Sequence, residues 1–387
     1  MKKSVITILV CVGSLLGLGL VMLHSIDGTL ARTAGQNVGR ASFFGLQLCW
    51  GVPGVLIMFA LSSVDYRVWR RFAWPFMWLV VMLLVLVFLP PLGHRIKGAY
   101  RMLSFGPLLF QPVELAKLAV ILFLAHVFAL LQKFRQVPCT ELQPAIPYPR
   151  LASFFTWFMP VWFFGLAVLL IFLEPAFCDA LLTLLAGLVV MFLGGMKPRY
   201  LAVVGGAAFF ICQFIAWQAD PQRWMSSVAI LFERNASSHP ACLFYPCLAF
   251  VKGGWTGVGL GQSQTMQYYY PEAADDFVTS VIGEELGMIG VLLVVLAFVA
   301  LVAAGIHISL RARAVFGTLL GMGLSCLIGL QALLNLTVAT GTLHLGSVSL
   351  PFISYTGFGL VVELAAVGLL LSIARHTDQS EAQPKVV

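Results

Sequence analysis

Long apolar runs separated by short polar segments are the dominant pattern of the chain. Each run has roughly the 20 residues that an α-helix needs to cross a bilayer. The runs cover residues 4–24, 43–62, 74–92, 112–131, 154–173, 178–195, 199–218, 277–306, 315–340 and 350–374. A membrane protein built from strands would instead alternate apolar and polar residues in segments of about ten. The pattern therefore predicts an all-α polytopic membrane protein with about ten transmembrane helices.

The composition agrees with this prediction and excludes a water-soluble domain. Of the 387 residues, 60% are hydrophobic and only 10% are charged, and the mean hydropathy is +0.95. The first apolar run is longer than the core of a cleaved secretory signal, so we expect it to be a retained anchor. We predict a single membrane domain, residues 1–375, followed by a short, polar, disordered tail at 376–387.

The 23 Lys and Arg residues indicate how the predicted helices are oriented. With the N-terminus in the cytoplasm, most of them fall in cytoplasmic segments, as the positive-inside rule requires. An even number of helices then places the C-terminal tail in the cytoplasm too. The net charge of +7 could suggest nucleic acid, but the chain has no basic helix and no basic tract interleaved with aromatic residues. We therefore expect no nucleic-acid partner.

Residues 219–276 form the longest predicted connection, a large outer loop between the seventh and eighth helices. Its glycine-rich and aromatic pieces favour an ordered loop at the membrane interface. Cys242 and Cys247 both lie in this loop, and the sequence does not decide between a disulfide and two unpaired thiols.

A basic cluster lies in the short outer loop "GHRIKGAYRMLSFG", against the positive-inside rule, and consists of Arg95, Lys97 and Arg101. Such a cluster either meets an anion or makes ordinary contact with lipid headgroups. The loop by itself leaves these two interpretations about equal.

Two pairs of charged residues lie at the outer ends of apolar runs. Glu114 and Lys117 are three residues apart on the fourth predicted helix and can pair, either as a structural bridge or as the lining of a polar pocket. The spacing alone favours the bridge. Glu174 and Asp179 flank a very short outer turn, and their spacing favours a solvated Glu174 at the interface.

Acidic residues crowd into "PEAADDFVTSVIGEELG", residues 271–287, although carboxylates are costly in hydrocarbon. If the eighth helix begins at Asp276, then Asp276, Ser280 and Glu284 recur along one face. A lone Asp at this place would by default cap the helix, but a second acid beside it weakens that interpretation. The helix dipole would keep Asp276 ionised, so it could accept a proton from a hydroxyl group.

Glu284 and Glu285 are adjacent and lie deeper, so at least one of them must face protein or water. Neighbouring carboxylates are typical of one raised pKa or of a bound cation, and both remain open. In "LPFISYTGFGLVVELAAVGLLL", glycine and proline around Ser354 indicate an irregular helix start that exposes backbone groups to a cavity. Helix packing through small residues explains these glycines equally well.

Four spaced blocks in this order resemble the SEDS family of bacterial membrane proteins, the group of FtsW, RodA and SpoVE. The resemblance runs through most of the chain, and four blocks of this length are far more specific than any single motif. The blocks are "FGPLLFQPVELAKLAVILFLA", "KGGWTGVGLGQS", "YPEAADDFVTSVIGEELGMIG" and "LPFISYTGFGLVVELAAVGLLLSIAR".

The resemblance implies a peptidoglycan glycosyltransferase of the bacterial inner membrane that polymerises lipid II. It also implies a class B penicillin-binding transpeptidase and other division proteins as partners. The essential outer-loop Asp of the family matches Asp276, which would act as general base. Arg101 and Lys117 would supply positive charge to the departing pyrophosphate, and a divalent cation, Mg²⁺ or Mn²⁺, could share that task although no ligand set is visible. The further substrate-binding residues expected from these motifs are Glu114, Glu284 and Ser354.

The chain also departs from the family pattern. The family's EPDxGTA segment is "LEPAFCDA" here, with Ala176 at the Asp position and Cys178 at the Gly, so Asp179 could compensate from a shifted place. The usual LLPTKG segment is "TLHLGSVS", which lacks the Pro and the Lys, and ISYGG has become "ISYTG". Substrate gating could therefore differ.

Two rival functions remain, a lipid II flippase and a non-catalytic scaffold for division proteins. A transporter needs polar groups along its whole path, whereas the ionisable residues here concentrate toward the outer half, which favours an outward-facing enzyme. "YPEA" and "GPLLFQPVELAK" look closer to the division branch of the family than to its elongation branch, RodA. We therefore expect septal cell-wall synthesis.

Overall fold

The computed structural model describes residues 2–34, 42–89, 93–96, 99–105, 108–136, 149–174, 176–219, 241–268, 272–342 and 348–382. The chain packs into two compact units. The first unit comprises Met1–Ala60, Ala216–Gly305 and Ile328–Val367, and the second comprises Leu61–Ile215, Ile306–Leu327 and Gly368–Val387. The prediction of one domain over 1–375 stays a prediction.

Almost all of the described elements are helices, so the predicted all-α polytopic class is confirmed. The helices are α1 Lys2–Ala34, α2 Phe43–Ser63, α3 Tyr66–Val87, α4 Pro112–Gln136, α5 Pro149–Leu173, α6 Phe177–Leu193, α7 Pro198–Ala219, α8 Ala241–Gly253, α9 Glu272–Asp275, α10 Val278–Glu285, α11 Gly287–Leu310, α12 Val315–Ala339 and α13 Phe358–Ala382. A short 3₁₀ helix covers Met266–Tyr268.

Several of these helices can cross a bilayer. Within the described ranges, eight are long and apolar enough, and two further apolar helices, Met159–Leu173 and Phe177–Leu193, are shorter. The protein is therefore a multi-pass membrane protein. The total of about ten spans stays a prediction.

The third helix begins earlier than the apolar run predicts. Asp65 accepts a hydrogen bond from the backbone N–H of Arg67 at 2.9 Å and so caps α3 at Tyr66. The Tyr66 side chain is buried and stacks on Phe316. The predicted span of 74–92 is therefore wrong at both ends, because the polar cap and not the hydropathy sets where the helix starts.

A three-stranded antiparallel sheet follows α3 where the sequence predicted only a loop. Its strands are β1 Gly93–Ile96, β2 Ala99–Phe105 and β3 Leu108–Phe110, in the order β1-β2-β3. Gly93 of β1 and Phe110 of β3 both pair with Leu103, whose side chain is fully buried. The sheet places Arg101 on its central strand.

The aromatic core of the second unit joins three helices. The rings of Trp74 on α3, Phe123 on α4 and Phe163 on α5 meet edge to face, with centroids 4.9–5.8 Å apart. Edge-to-face contacts stabilise aromatic pairs beyond the area that they bury. Helix α4 is mostly buried, so its polar residues must be accommodated inside the protein.

The eighth apolar run is two helices and not the single helix predicted over 277–306. Helix α10 ends at Glu285, and Gly287 has a φ of +71°, a conformation that favours glycine. The first N–H groups of α11 bond to loop carbonyls: Met288 N–H donates to Gly254 at 2.9 Å and Ile289 N–H to Trp255 at 3.2 Å. The glycine-rich loop after α8 therefore takes the place of the preceding helical turn.

The irregular start predicted for the last apolar run is observed. Phe352 has a φ of +65°, unusual for a bulky residue, and its N–H donates to Glu363 of α13 at 2.8 Å. Helix α13 starts only at Phe358 and continues to Ala382. The prediction of a disordered tail from 376 is therefore wrong for its first part.

Candidate functional site

The acidic segment in which the resemblance predicts the general base forms a turn, Glu272–Asp276, which we call the acidic turn. It consists of the four-residue helix α9 and Asp276, whose N–H donates to Glu272 O at 2.9 Å. Asp276 is half-buried. Helix α10 begins at Val278, with Phe277 in the capping position and no side-chain cap. The expected helix start at Asp276 is therefore wrong, and so is the interpretation of Asp276 as that helix's cap.

The backbone of the acidic turn is held from two other elements. Tyr355 N–H donates to the Ala274 carbonyl at 2.9 Å, and the Asn335 side-chain N–H donates to the Asp276 carbonyl at 2.9 Å. The side chains of Ala273 and Ala274 are fully buried. The position of Asp276 is thus fixed by buried contacts on both sides of the turn.

Glu284 is buried, with 1% of its surface exposed, and accepts four hydrogen bonds. The hydroxyls of Ser263 and Thr265 donate to one carboxylate oxygen, and the N–H groups of Gln264 and Thr265 donate to the other at 3.1 and 3.2 Å. These bonds hold the loop that precedes the 3₁₀ helix. Ser280 lies one turn before Glu284 and is also buried, but the predicted ladder is interrupted because Asp276 lies outside α10.

Glu285 holds the same loop from its other side. Its two carboxylate oxygens accept from the Ser25 hydroxyl at 2.7 Å each, and that hydroxyl accepts from Gly261 N–H at 3.0 Å. Ser354 is fully buried, where its hydroxyl accepts from Leu350 N–H at 2.9 Å. Contact of Glu284 or Ser354 with a substrate stays a prediction.

A second polar centre lies in the second unit, and we call it the Lys117 cluster: Arg101, Glu114, Lys117, Glu174 and Asp179. Lys117 Nζ lies 2.7 Å from Glu114 Oε1 and 3.2 Å from Asp179 Oδ1. The ion pair predicted from the three-residue spacing is confirmed. Asp179, in the first turn of α6, adds a second carboxylate to the buried lysine, with 19% of its side chain exposed.

Glu174, in the turn between α5 and α6, is fully buried, so the solvated position predicted for it is wrong. Its backbone carbonyl accepts from Arg101 Nε at 3.3 Å. Within the described chain, neither carboxylate oxygen of Glu174 has a hydrogen-bond partner. Burial, and then the negative charge of Asp179, raise the pKa of Glu174 to about 9, while Arg101 opposes the rise. Glu174 therefore carries a proton at neutral pH.

Other predicted residues are placed only in part. Arg95 lies in β1, but its side chain and all of Lys97 fall outside the described residues. Cys247 is a free thiol whose Sγ lies 4.0 Å from the Ala339 carbonyl oxygen, and the Cys242 side chain falls outside the description. Among the described residues, no group of three or more His, Cys, Asp or Glu side chains is arranged to hold a metal ion, and a bound Mg²⁺ or Mn²⁺ stays a prediction.

The comparison with known families decides where the chain belongs. A family model described as "Cell cycle protein", FTSW_RODA_SPOVE, matches residues 6–379. The chain belongs to this family. Among its SEDS relatives, a Geobacter sulfurreducens protein named "Probable peptidoglycan glycosyltransferase FtsW" is 34% identical over 357 residues, 92% of this chain and 91% of that protein. The "Stage V sporulation protein E" of Bacillus subtilis is 30% identical over 369 residues, 94% of each chain.

Solved SEDS structures share the fold. A chain described under "Structural coordination of polymerization and crosslinking by a peptidoglycan synthase complex" matches with a TM-score of 0.73 and 25% identity, over 96% of this chain and 98% of that chain. The rod shape determining protein RodA of Thermus thermophilus matches with a TM-score of 0.64 and 24% identity, over 95% of each chain.

Sequence reasoning missed a buried polar network on α12 and α13. Gln331 donates to the Ser349 carbonyl at 3.2 Å and to Glu363 at 3.1 Å, and Asn335, one turn later, bonds to the acidic turn. The signal was present, because two amide residues four apart inside an apolar run mark one polar stripe on a helix.

Proposed function

We propose that the protein is a peptidoglycan glycosyltransferase that polymerises lipid II into glycan strands for septal cell-wall synthesis. Family membership over nearly the whole chain supports the enzyme class, together with the relative named as a probable peptidoglycan glycosyltransferase. The observation that carries the chemistry is the buried backbone clamp on Asp276, the residue that matches the family's essential Asp.

In the proposed reaction, the Asp276 carboxylate removes the proton from the 4-hydroxyl of the acceptor GlcNAc. The freed oxygen attacks the anomeric carbon of the donor MurNAc with inversion, and the bond from that carbon to the lipid pyrophosphate breaks. The products are a β-1,4 link, a protonated Asp276 and undecaprenyl pyrophosphate, which carries away the bonding electrons. A positioned general base typically contributes about 10²–10⁴-fold to the rate.

The proposed task of the Lys117 cluster is to stabilise negative charge on the departing pyrophosphate. Lys117 is already paired with two carboxylates, so an incoming phosphate must compete with one of them. Lys117 Nζ lies farther from Asp179 than from Glu114, so we expect the phosphate to displace Asp179. Arg101, half-buried on the central strand, supplies the second cation.

We further propose that the protein lies in the bacterial inner membrane with both termini in the cytoplasm, and acts beside a class B penicillin-binding transpeptidase and other division proteins. The similarity to a chain from a peptidoglycan synthase complex supports the partner. We propose no step for a divalent cation, because the described residues offer no ligand set. Loss of activity on EDTA treatment, restored by Mg²⁺ or Mn²⁺, would make a cation part of the reaction.

The function is tested with the purified protein, the transpeptidase partner and labelled lipid II in detergent. We expect glycan ladders from the wild type and an approximately 100-fold or greater loss of ladder formation in Asp276→Ala. Asp275→Ala is the matched control, because it removes the neighbouring carboxylate and leaves the base in place. Unchanged ladders from Asp276→Ala would remove Asp276 from the mechanism, and lipid II translocation in liposomes without any polymer would favour the flippase.

A further inference from the structure

Asn335 lies on α12, and its side chain contacts three separate segments of the first unit. Its exposed fraction is 1%. The side-chain Nδ2 donates to the Asp276 carbonyl at 2.9 Å and to the Val348 carbonyl. The Oδ1 atom accepts from the Thr279 hydroxyl of α10. One buried amide therefore joins the acidic turn, the first turn of α10 and the segment that leads to α13.

These contacts use both donors of the amide and occupy its oxygen. The nitrogen faces two carbonyl oxygens, which can only accept, and the oxygen faces a hydroxyl, which can donate. The reversed orientation of the amide would set its oxygen against two carbonyls. Asn335 is therefore held in one orientation, and a shift of the side chain would leave buried polar groups unpaired.

The Asp276 carbonyl lies at a break in the helical hydrogen-bond pattern. In a continuous helix it would accept from Ser280 N–H, but Ser280 N–H donates to Phe277 O at 2.9 Å instead. Both Asp276 N–H and Phe277 N–H donate back to Glu272 O, so the helix breaks at Asp276. Asn335 supplies a donor at this break and so limits rotation of the peptide group that follows the Asp276 side chain.

We propose that Asn335 is a positioning residue for the glycosyl transfer, which fixes the Asp276 carboxylate through its backbone carbonyl and couples that carbonyl to Val348. This inference rests on the proposed function of Asp276 as general base. Displacement of a catalytic group by about 1 Å can cost ~100-fold in rate. A loosened acidic turn should therefore slow the chemical step more than it weakens lipid II binding.

The test compares variants of the full-length protein with its transpeptidase partner, by kcat and KM for lipid II polymerisation. Asn335→Leu removes all three hydrogen bonds and keeps the number and branching of the side-chain heavy atoms. Thr279→Val is the milder variant, because it leaves both Asn335 donors in place and removes only the bond that orients the amide. Gln331→Leu is the matched control, because Gln331 lies on α12 one turn before Asn335. This variant removes buried amide hydrogen bonds to Ser349 and Glu363 but none to Asp276.

We expect Asn335→Leu to lower kcat by about 10–100-fold and Thr279→Val by about threefold, with KM changed by less than about threefold. Gln331→Leu should lower the unfolding temperature as much as Asn335→Leu while keeping kcat close to wild type. If Asn335→Leu does not fold, the unchanged kcat of a folded Thr279→Val would overturn the proposal.

Wild-type kcat in a folded Asn335→Leu would also overturn the positioning role of Asn335. Equal losses of kcat in Asn335→Leu and Gln331→Leu would overturn it too. Asp276→Ala, measured in the same assay, separates this failure from failure of the proposed function. An inactive Asp276→Ala beside a fully active Asn335→Leu contradicts only the positioning role. An active Asp276→Ala contradicts the role of Asp276 as general base, and a wild type that makes no polymer contradicts the function itself.

Discussion

Glu284 and Glu174 are both buried carboxyl groups, each at one end of an apolar helix, but their surroundings are opposite. Glu284 accepts four hydrogen bonds from the loop before the 3₁₀ helix. Glu174, in the part of the chain that the structure describes, accepts none at its side chain. Burial of a carboxyl group therefore does not by itself define its role, because the supply of donors decides whether its oxygens are paired with protein groups.

This difference divides the polar residues into two kinds. A carboxylate with four donors has a structural role, because each hydrogen bond ties it to the loop that precedes the 3₁₀ helix. A carboxyl without donors keeps its proton and can respond to charges that arrive beside it. The Lys117 cluster, with two cations and three acids, is neutral only when one acid is protonated, and Glu174 is the acid best placed to hold that proton.

The largest effect is expected for Lys117→Met, which leaves the buried Glu114 and the nearby Asp179 without their cation. Removal of one partner from a buried ion pair typically costs about 3–5 kcal/mol of unfolding free energy. Thermal or denaturant unfolding in detergent measures it, with the exposed Lys252→Met as control. A loss no greater than in the control would show that the pairs contribute little to stability.

Next in size is Glu174→Gln, whose effect should depend on pH. Below the ordinary pKa of 4.5, both the folded and the unfolded chain keep the Glu174 proton, and between 4.5 and about 9 only the folded chain keeps it. The wild type therefore loses stability relative to Glu174→Gln as pH rises through this window, by up to about 1.4 kcal/mol per pH unit.

Unfolding of both proteins at pH 5, 6, 7 and 8 tests this expectation. Relative to its value below pH 4.5, the difference in unfolding free energy between the variant and the wild type should shift in favour of the variant by as much as about 3 kcal/mol at pH 7. Parallel pH curves for the two proteins would mean that Glu174 is ionised or satisfied in the folded protein.

A smaller loss is expected for Glu284→Leu. The apolar side chain has no acceptor, so the buried hydroxyl and N–H donors of the loop are left unpaired at about 1–3 kcal/mol. Protease cleavage in the loop at 261–265 should rise along with the loss of stability. An unchanged unfolding curve would show that these hydrogen bonds do not stabilise the fold. It would also strengthen the prediction that Glu284 binds substrate.

The sequence was most informative where the interaction is local. The Glu114–Lys117 pair follows from a three-residue spacing on a helix, and the spans follow from hydropathy. The donors of Glu284 come from a loop about one helix length earlier in the chain, so spacing could not reveal them. The burial of Glu174 likewise depends on tertiary packing, which a five-residue interval to Asp179 does not encode.

Hydrogen bonds that hydropathy does not encode explain the errors in the predicted helix ends. Hydropathy gives a continuous run from Phe277 onward. The N–H groups of Met288 and Ile289 donate to the carbonyls of Gly254 and Trp255 instead of to a preceding helical turn, and the run is divided into α10 and α11. Asp65 likewise starts α3 before its uninterrupted apolar run begins. Asn335 could have been flagged as a polar residue inside an apolar run, yet its bond to Asp276 needs the folded arrangement of α12.

The most direct test of the central claim is the single-turnover rate of glycosidic bond formation as a function of pH, for the wild type and for Asp276→Asn. A carboxylate base predicts a wild-type rate that falls as pH drops through its pKa. The isosteric amide should be at least about 100-fold slower and no longer respond to pH in that range. Equal rates with the same pH dependence in the two proteins would contradict the account.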